Sequence, residues 1–182
     1  AGDGELTNKT LVILGYGGIG SQVAKLGKAF GMRVTGIRRN PQDDEHADEV
    51  LGLDRFEELL PLTDYLVLAL PDSPQTRDII NADILEKLNT SAMIINVGRG
   101  TAINEVDLAD ALNNGKIAAA ALDTTKIEPL DTNSSLWMAK NCFISAHDSA
   151  HSLLSLGRAF ELFFQNIKNI KNSDRIINLY SE

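Results

Sequence analysis

The sequence has a single cysteine, Cys142, in 182 residues. No intrachain disulfide can form and no cysteine cluster can bind zinc, which fits a reducing, cytoplasmic setting. Basic residues are few: 17 Lys and Arg against 25 Asp and Glu give a net charge of −8. That argues against a general nucleic-acid binder, which needs a basic footprint. Much of the acid lies between Asp43 and Glu58, as in a solvated surface segment. No apolar run approaches the length of a membrane span. No signal peptide, low-complexity stretch or internal repeat is visible, and the first residue is Ala1, in keeping with a trimmed or engineered start. With 43% hydrophobic and 23% charged residues, the chain has the makeup of an ordinary globular domain, long enough to bury one core.

What is there centres on residues 11–20. The apolar run Leu11 to Leu14 ends in Gly15-Tyr16-Gly17-Gly18-Ile19-Gly20, and a segment with Ile19, Val23, Leu26 and Phe30 at helical spacing follows. The run reads as a buried parallel strand, and the segment as a helix with that apolar face. At such a turn Gly15 gives the tight bend, Gly17 lets the backbone approach a pyrophosphate, and Gly20 lets the helix pack closely on the strand. The leading N–H groups of the helix and its dipole then hold the phosphates. A purely structural turn and an S-adenosylmethionine site are the alternatives. Arg33 to Ile37 supplies a second strand, completing β-α-β within about 30 residues. An NAD site carries an acid there, about 20 residues after the glycines; this chain has Arg38, Arg39 and Asn40. Guanidiniums pair with a 2′-phosphate, which points to NADP in preference to NAD. Two surface arginines balancing Asp43, Asp44 and Glu45 are the other reading.

Residues 1 to 9 are polar and expected on the surface, and residues 40 to 63 read as a loop and a short helical pattern. Tyr65 to Leu70 is predicted as a central strand stopped by Pro71, and Asn81 to Leu88 as a short helix capped by Asn81. Ala92 to Val97 is predicted as a strand ending in Gly98-Arg99-Gly100. Asn104 caps a helix through Leu112, with Gly115 just beyond its end. Ile117 to Leu122 and Cys142 to Ser145 are further strands, followed by Asp123 and by Ala146-His147. Ser149 to Asn172 is predicted as mostly one long amphipathic helix with His151 in its first turn, and a short apolar piece, Ile176 to Tyr180, follows. The alternation predicts an α/β fold with a doubly wound parallel sheet and a long C-terminal helix. Ligands bind such sheets beyond the carboxyl ends of the strands. The glycine motif, Arg38, Pro71, Arg99, Asp123 and His147 are therefore expected along one edge.

Three of these residues suit hydride transfer together. Arg99, held between glycines beside a cofactor cleft, suits a planar carboxylate; singly it also reads as a cap or surface ion pair. Glu128 before Pro129 is unremarkable alone, and a histidine after a strand, such as His147, is more often structural. Oxidising a 2-hydroxy acid needs a base for the hydroxyl proton while hydride leaves, and a histidine titrates in the right range. A nearby glutamate would fix its tautomer, and an arginine would anchor the carboxylate and polarise the adjacent carbonyl.

In that combination the chain resembles the nucleotide-binding domain of the D-isomer-specific 2-hydroxyacid dehydrogenases, the family of D-lactate, glyoxylate/hydroxypyruvate and D-3-phosphoglycerate dehydrogenases. The resemblance is carried in order by Leu11 to Gly20, Leu68 to Thr76, Ile94 to Gly100, Ala121 to Leu130 and Ser135 to His147. It implies a Rossmann-like dinucleotide-binding domain over 1–182, with a core of about 8–148 and a C-terminal helix and tail over 149–182. It implies Arg99 as substrate-binding arginine, Glu128 as the histidine's partner and His147 as acid/base. Gly18 and Ile19, with the rest of the Gly15–Tyr16–Gly17–Gly20 turn, would hold the pyrophosphate, and Asp123 the nicotinamide carboxamide. Leu70, Pro71, Thr76, Val97 and Gly98 would line the cofactor cleft. A homodimer through this domain is implied as well, with a small 2-hydroxy or 2-oxo acid as substrate and no membrane or nucleic-acid partner. Departures are Ala146 where the family usually has proline, and Asp148-Ser149-Ala150-His151 after the histidine. The family's N-terminal substrate-binding segment is not represented, so this chain is expected to bind cofactor but turn over poorly, with apolar surface on the C-terminal helix left exposed. A non-enzymatic NAD(P)H-binding regulatory module is the alternative function. A methyltransferase explains neither Arg99 nor the Glu128–His147 pair.

Overall fold

The computed structural model describes residues 4–178, and the chain divides into two compact units between His147 and Asp148. Residues 1–3 of the surface segment expected over 1–9, and the end of the apolar piece, at 179–180, lie outside the described residues.

The first unit holds seven strands: β1 (Thr10–Leu14), β2 (Arg33–Ile37), β3 (Glu49–Leu51), β4 (Tyr65–Leu68), β5 (Met93–Asn96), β6 (Ala119–Leu122) and β7 (Cys142–Ile144). All pairings are parallel, in the order β3-β2-β1-β4-β5-β6-β7. The chain runs outward one way from β1 and the other way from β4, so the β1/β4 junction is a topological switch point. Alternate residues of the strands face opposite sides. Val12, Leu14, Leu66, Leu68 and Ile94 enter one core with α3 (Ala82–Lys87) and α4 (Glu105–Asn113), whereas Leu11, Ile13, Val34 and Val67 enter the other with α1 (Gly18–Ala29). Asn81 and Asn104 cap α3 and α4 by accepting from two backbone N–H groups each, as predicted.

The structure departs from expectation in several places. Helix α1 does not bury Ile19, Leu26 and Phe30, which are 58%, 61% and 59% exposed; its buried residues are Gly20, Ala24 and Gly27. Close packing explains this: a Cβ on Gly27 would lie 2.6 Å from Leu11 Cδ2, so the helix approaches the sheet on its small-residue face. Leu26 and Phe30 instead border an open apolar groove of about 220 Å³ with Leu6, Met32 and Ile95. Strand β3 was not expected; with three residues at the sheet edge and only Val50 buried, it carries no readable period. It is followed by a short α2 (Phe56–Leu59) between two 3-10 turns. β4 stops at Leu68 rather than Leu70: the Ala69 N–H still donates to Leu14 O (2.9 Å), but the chain then passes between Gly15 and Gly98, where added Cβ atoms would meet Ala69 O at 2.6 Å and Leu70 N at 2.7 Å. Strands β5, β6 and β7 are likewise shorter at their ends than predicted.

The second unit contains α5 (Ser155–Lys171), six residues shorter at its start than predicted. Residues before it are serine-rich, and their hydroxyls bond locally: Ser155 Oγ donates to Ser152 O (2.8 Å) and Leu154 N to Ser152 Oγ (3.3 Å). Such bonds compete with helix initiation. His151 therefore lies ahead of the helix, its Nδ1 paired with Asp148. Asn166 and Asn169 tie the following segment back to α5 through Ile177 and Arg175. Leu156, Phe160, Phe163, Phe164 and Ile170 remain exposed. Among the described residues, no helix is long and apolar enough to cross a membrane.

Candidate active site

The strands end in register. Leu14 pairs with Ile37 and Leu68, and the row continues through Asn96, Leu122 and Ile144. The residues that follow, Gly15, Arg38, Val97, Asp123 and Ser145, therefore share the carboxyl edge of the sheet.

At the switch point the glycine turn has φ +101° at Gly15, which a side chain disfavours. Gly15 N and Tyr16 N both donate to Ile37 O (3.0 and 2.8 Å). A Cβ on Gly20 would lie 2.6 Å from Gly15 O, so this glycine sets how closely α1 follows the turn. Gly17 and Gly18 have nothing within 4 Å of an added Cβ, and no side chain caps the first turn of α1. An open cradle with uncapped leading N–H groups fits a dinucleotide's phosphates. Tyr16 is buried, and its hydroxyl donates to Asp44 (3.0 Å). Burial foremost, then Asp44, pushes its phenol up to about 12. The guanidiniums of Arg38 and Arg39 have no hydrogen bond or ion pair with a described residue.

On the β5–β7 side, a cleft of about 220 Å³ brings Arg99, Glu128 and His147 together. Asn96, at the end of β5, fixes the turn that carries Arg99: fully buried, it accepts from Gly98 N (3.0 Å) and donates to Arg99 O (3.1 Å). Arg99 Nη1 donates only to its neighbour Gly98 O (2.9 Å), which leaves the guanidinium without a carboxylate partner among the described residues. Glu128 uses both oxygens, accepting from Thr125 N (3.0 Å) and pairing with His147 Nδ1 (2.8 Å). The hydrogen bond from His147, more than any other contact, holds the Glu128 carboxyl below the usual glutamate range. An ionised carboxylate only accepts, so Nδ1 carries the proton and Nε2 is the nitrogen left for exchange. His147 sits at φ +53°, a left-handed backbone that a non-glycine residue adopts at a cost. Asp123 is buried and accepts from Ser145 Oγ (2.7 Å). Thr76 spends its hydroxyl within its own turn, on Pro71 O (2.8 Å).

Asp72, Thr101 and Lys126 also line this cleft and were not anticipated. Asp72 accepts from Thr101 Oγ1 (2.9 Å), joining the loop after β4 to the loop after β5, and Arg77 foremost lowers its pKa. Their places beside Pro71 and Gly100 were the only sequence signal. Lys126, paired with Asp78 (3.3 Å), had none. The sequence placed the glycine turn and the Arg99 group on one edge, but the cleft contains only the second.

Because the Glu128 carboxyl is depressed on folding, its stabilisation is present above its unfolded value and is lost as pH falls through its lowered folded value. Melting curves from neutral to acid pH should show wild type losing its advantage over Glu128→Gln in that acid window. Parallel curves would mean that the pair carries no pH-linked stability.

The model of the D-isomer specific 2-hydroxyacid dehydrogenase NAD binding domain matches residues 2–149. A human glyoxylate reductase/hydroxypyruvate reductase is 40% identical over 143 residues, 78% of this chain and 44% of that protein. A hydroxypyruvate reductase of Blautia hydrogenotrophica is 37% identical over 166 residues, 90% of this chain and 51% of that one. The chain thus spans about half the length of the curated relatives it matches. The crystal structure of an NADPH-dependent glyoxylate/hydroxypyruvate reductase of Sinorhizobium meliloti, in complex with NADP and sulfate, superposes with a TM-score of 0.88 at 28% identity, covering 100% of this chain and 58% of that one.

Proposed function

The chain belongs to the D-isomer specific 2-hydroxyacid dehydrogenases, as their NAD-binding domain, and on that premise we propose that it binds NADP in preference to NAD and serves hydride transfer with a small 2-hydroxy or 2-oxo acid. The observation that carries this is the Glu128–His147 pair, at 2.8 Å, in one cleft with an Arg99 guanidinium that has no carboxylate partner among the described residues. The nicotinamide supplies or accepts the hydride when bound. Arg99 binds the substrate carboxylate and draws charge from the adjacent oxygen. His147 Nε2 gives a proton to that oxygen in reduction and takes it in oxidation, while Glu128 holds the ring through Nδ1. The Gly17–Gly18 cradle holds the pyrophosphate, and Asp123 holds the carboxamide. Leu70, Pro71, Thr76, Val97 and Gly98 border the cofactor.

The unpaired guanidiniums of Arg38 and Arg39 support the 2′-phosphate reading, and so does the NADPH-dependent relative. The same reading takes the protein to be cytoplasmic and a homodimer through this domain, supported by its lone cysteine and by the apolar groove beside α1.

Fluorescence titration with NADPH and NADH tests the cofactor assignment. NADPH is expected to bind more tightly, and Arg38→Ala/Arg39→Ala to lose about tenfold or more of that advantage, the worth of one charge-assisted contact. Equal affinities in the wild type would remove the NADP preference and leave the dehydrogenase reading. Binding of neither would remove the cofactor assignment for this chain.

A further inference from the structure

We propose that Tyr16 and Asp44 are a positioning pair that sets the 2′-phosphate subsite, by pinning the Arg38–Arg39 loop to the glycine turn and committing the Asp44 carboxylate to that turn instead of to the two guanidiniums. The inference rests on the NADP reading above, and the ligand group it concerns is a phosphomonoester on the adenosine ribose.

The Asp44 carboxylate collects three donors from three places: Tyr16 OH in the glycine turn (3.0 Å), Ser21 Oγ in the first turns of α1 (3.5 Å) and the His46 backbone N–H (2.9 Å). The Tyr16 ring is 3% exposed and lies across β2, where Gly36 makes room for it. A Cβ at Gly36 would sit 2.2 Å from Tyr16 Cδ2 and 2.6 Å from Cγ. Any side chain at 36 would therefore displace the ring. With its ring seated, the phenol has a fixed aim, and that aim is Asp44.

The loop after β2 is thus held at both ends. At its start the Arg38 N–H donates to Leu51 O (3.0 Å), continuing the β2–β3 pairing. At its far end Asp44 is tied to the phosphate-binding turn. Arg38 and Arg39 lie in the span between, and neither guanidinium takes an ion pair with a described residue although Asp43, Asp44 and Glu45 follow within seven positions. Tyr16 OH and His46 N–H both hold Asp44 Oδ1, with Ser21 Oγ 3.5 Å from Oδ2, so the carboxylate is committed to the glycine turn and to its own loop, not to the arginines. A subsite whose cations are held ready and uncompensated binds a dianion with less ordering cost than one whose arginines must first break ion pairs.

The test is titration of the 182-residue chain with NADPH and NADH for wild type, Tyr16→Phe, Asp44→Ala and Asp44→Asn, with a thermal melt of each. The readout is the ratio of the two dissociation constants, which a general loss of stability does not move. Tyr16→Phe and Asp44→Ala are expected to cut the preference for NADPH by about tenfold, whereas Asp44→Asn, which still accepts from the phenol, retains it within about threefold. If the wild type prefers NADPH and Tyr16→Phe and Asp44→Ala keep the ratio, the pairing role is overturned while the NADP reading stands. If Asp44→Ala and Asp44→Asn both tighten NADPH, Asp44 acts as a repelling charge and the proposal is likewise overturned. A wild type without preference overturns both. Tyr16→Phe keeps the ring against Gly36, so the test does not depend on a variant that disturbs the fold.

Discussion

Replacing His147 by alanine is expected to slow hydride transfer by about 10²–10⁴-fold, the usual contribution of a positioned acid/base, while leaving the dissociation constant of NADPH unchanged. The division follows from the geometry. His147 stands in the cleft with Arg99 and Glu128, and the glycine turn does not border that cleft. Its Nδ1 is taken by Glu128 at 2.8 Å, and its backbone is held at φ +53°, so the ring's position is imposed by the fold. A rate measured under single turnover, with the chain in excess over NADPH and with glyoxylate as acceptor, is the suitable check, since the chain covers about half the length of its relatives and rapid steady-state turnover is not expected of it. An unchanged rate would return His147 to a structural role and favour a cofactor-binding module over an enzyme.

Gly100→Ala should be the most damaging single methyl in the cleft. A Cβ there would lie 1.9 Å from Thr125 C, 2.1 Å from Thr125 O and 2.4 Å from Lys126 N. These are backbone atoms of the turn that ends in Glu128, so relief requires moving the turn and not a side chain. Overpacking of this kind costs about 3 kcal/mol or more, or a fall in melting temperature of about 6–12 °C for a domain of this size. The same displacement carries Glu128 away from His147, so the rate should fall with stability. Gly17→Ala is the control. Its Cβ meets nothing within 4 Å and its φ is −115°, so melting should hardly change while cofactor binding weakens. A Gly100→Ala protein that melts like wild type would show that the turn yields freely and that the contact does not fix Glu128.

Much of the fold was legible because its signals are local. The run Leu11 to Leu14 has the continuous apolar character of a strand buried on both faces. Asn81 and Asn104 announce helix starts because a cap acts on N–H groups two and three residues away. Gly15 and Gly115 mark turns because their φ values of +101° and +69° suit a residue without a side chain. Helix α1 shows the limit. Its apolar stripe was readable, but the buried face was chosen by how closely Gly20 and Gly27 let the helix approach β1, a contact between elements that periodicity does not contain.

The site divides in the same way. The residue types at the strand ends were readable from the chain alone, because strand–helix alternation fixes a parallel sheet and its carboxyl edge. Which of them meet is settled by the folded chain, and of the pairs below the Glu128–His147 contact alone was expected beforehand, through the family resemblance and not through spacing. Tyr16 and Asp44 are 28 residues apart, Glu128 and His147 19, and Asp72 and Thr101 29. Each pair closes between loops that strand order and register bring side by side, and a pairing across such spans leaves no period or spacing in the chain to announce it.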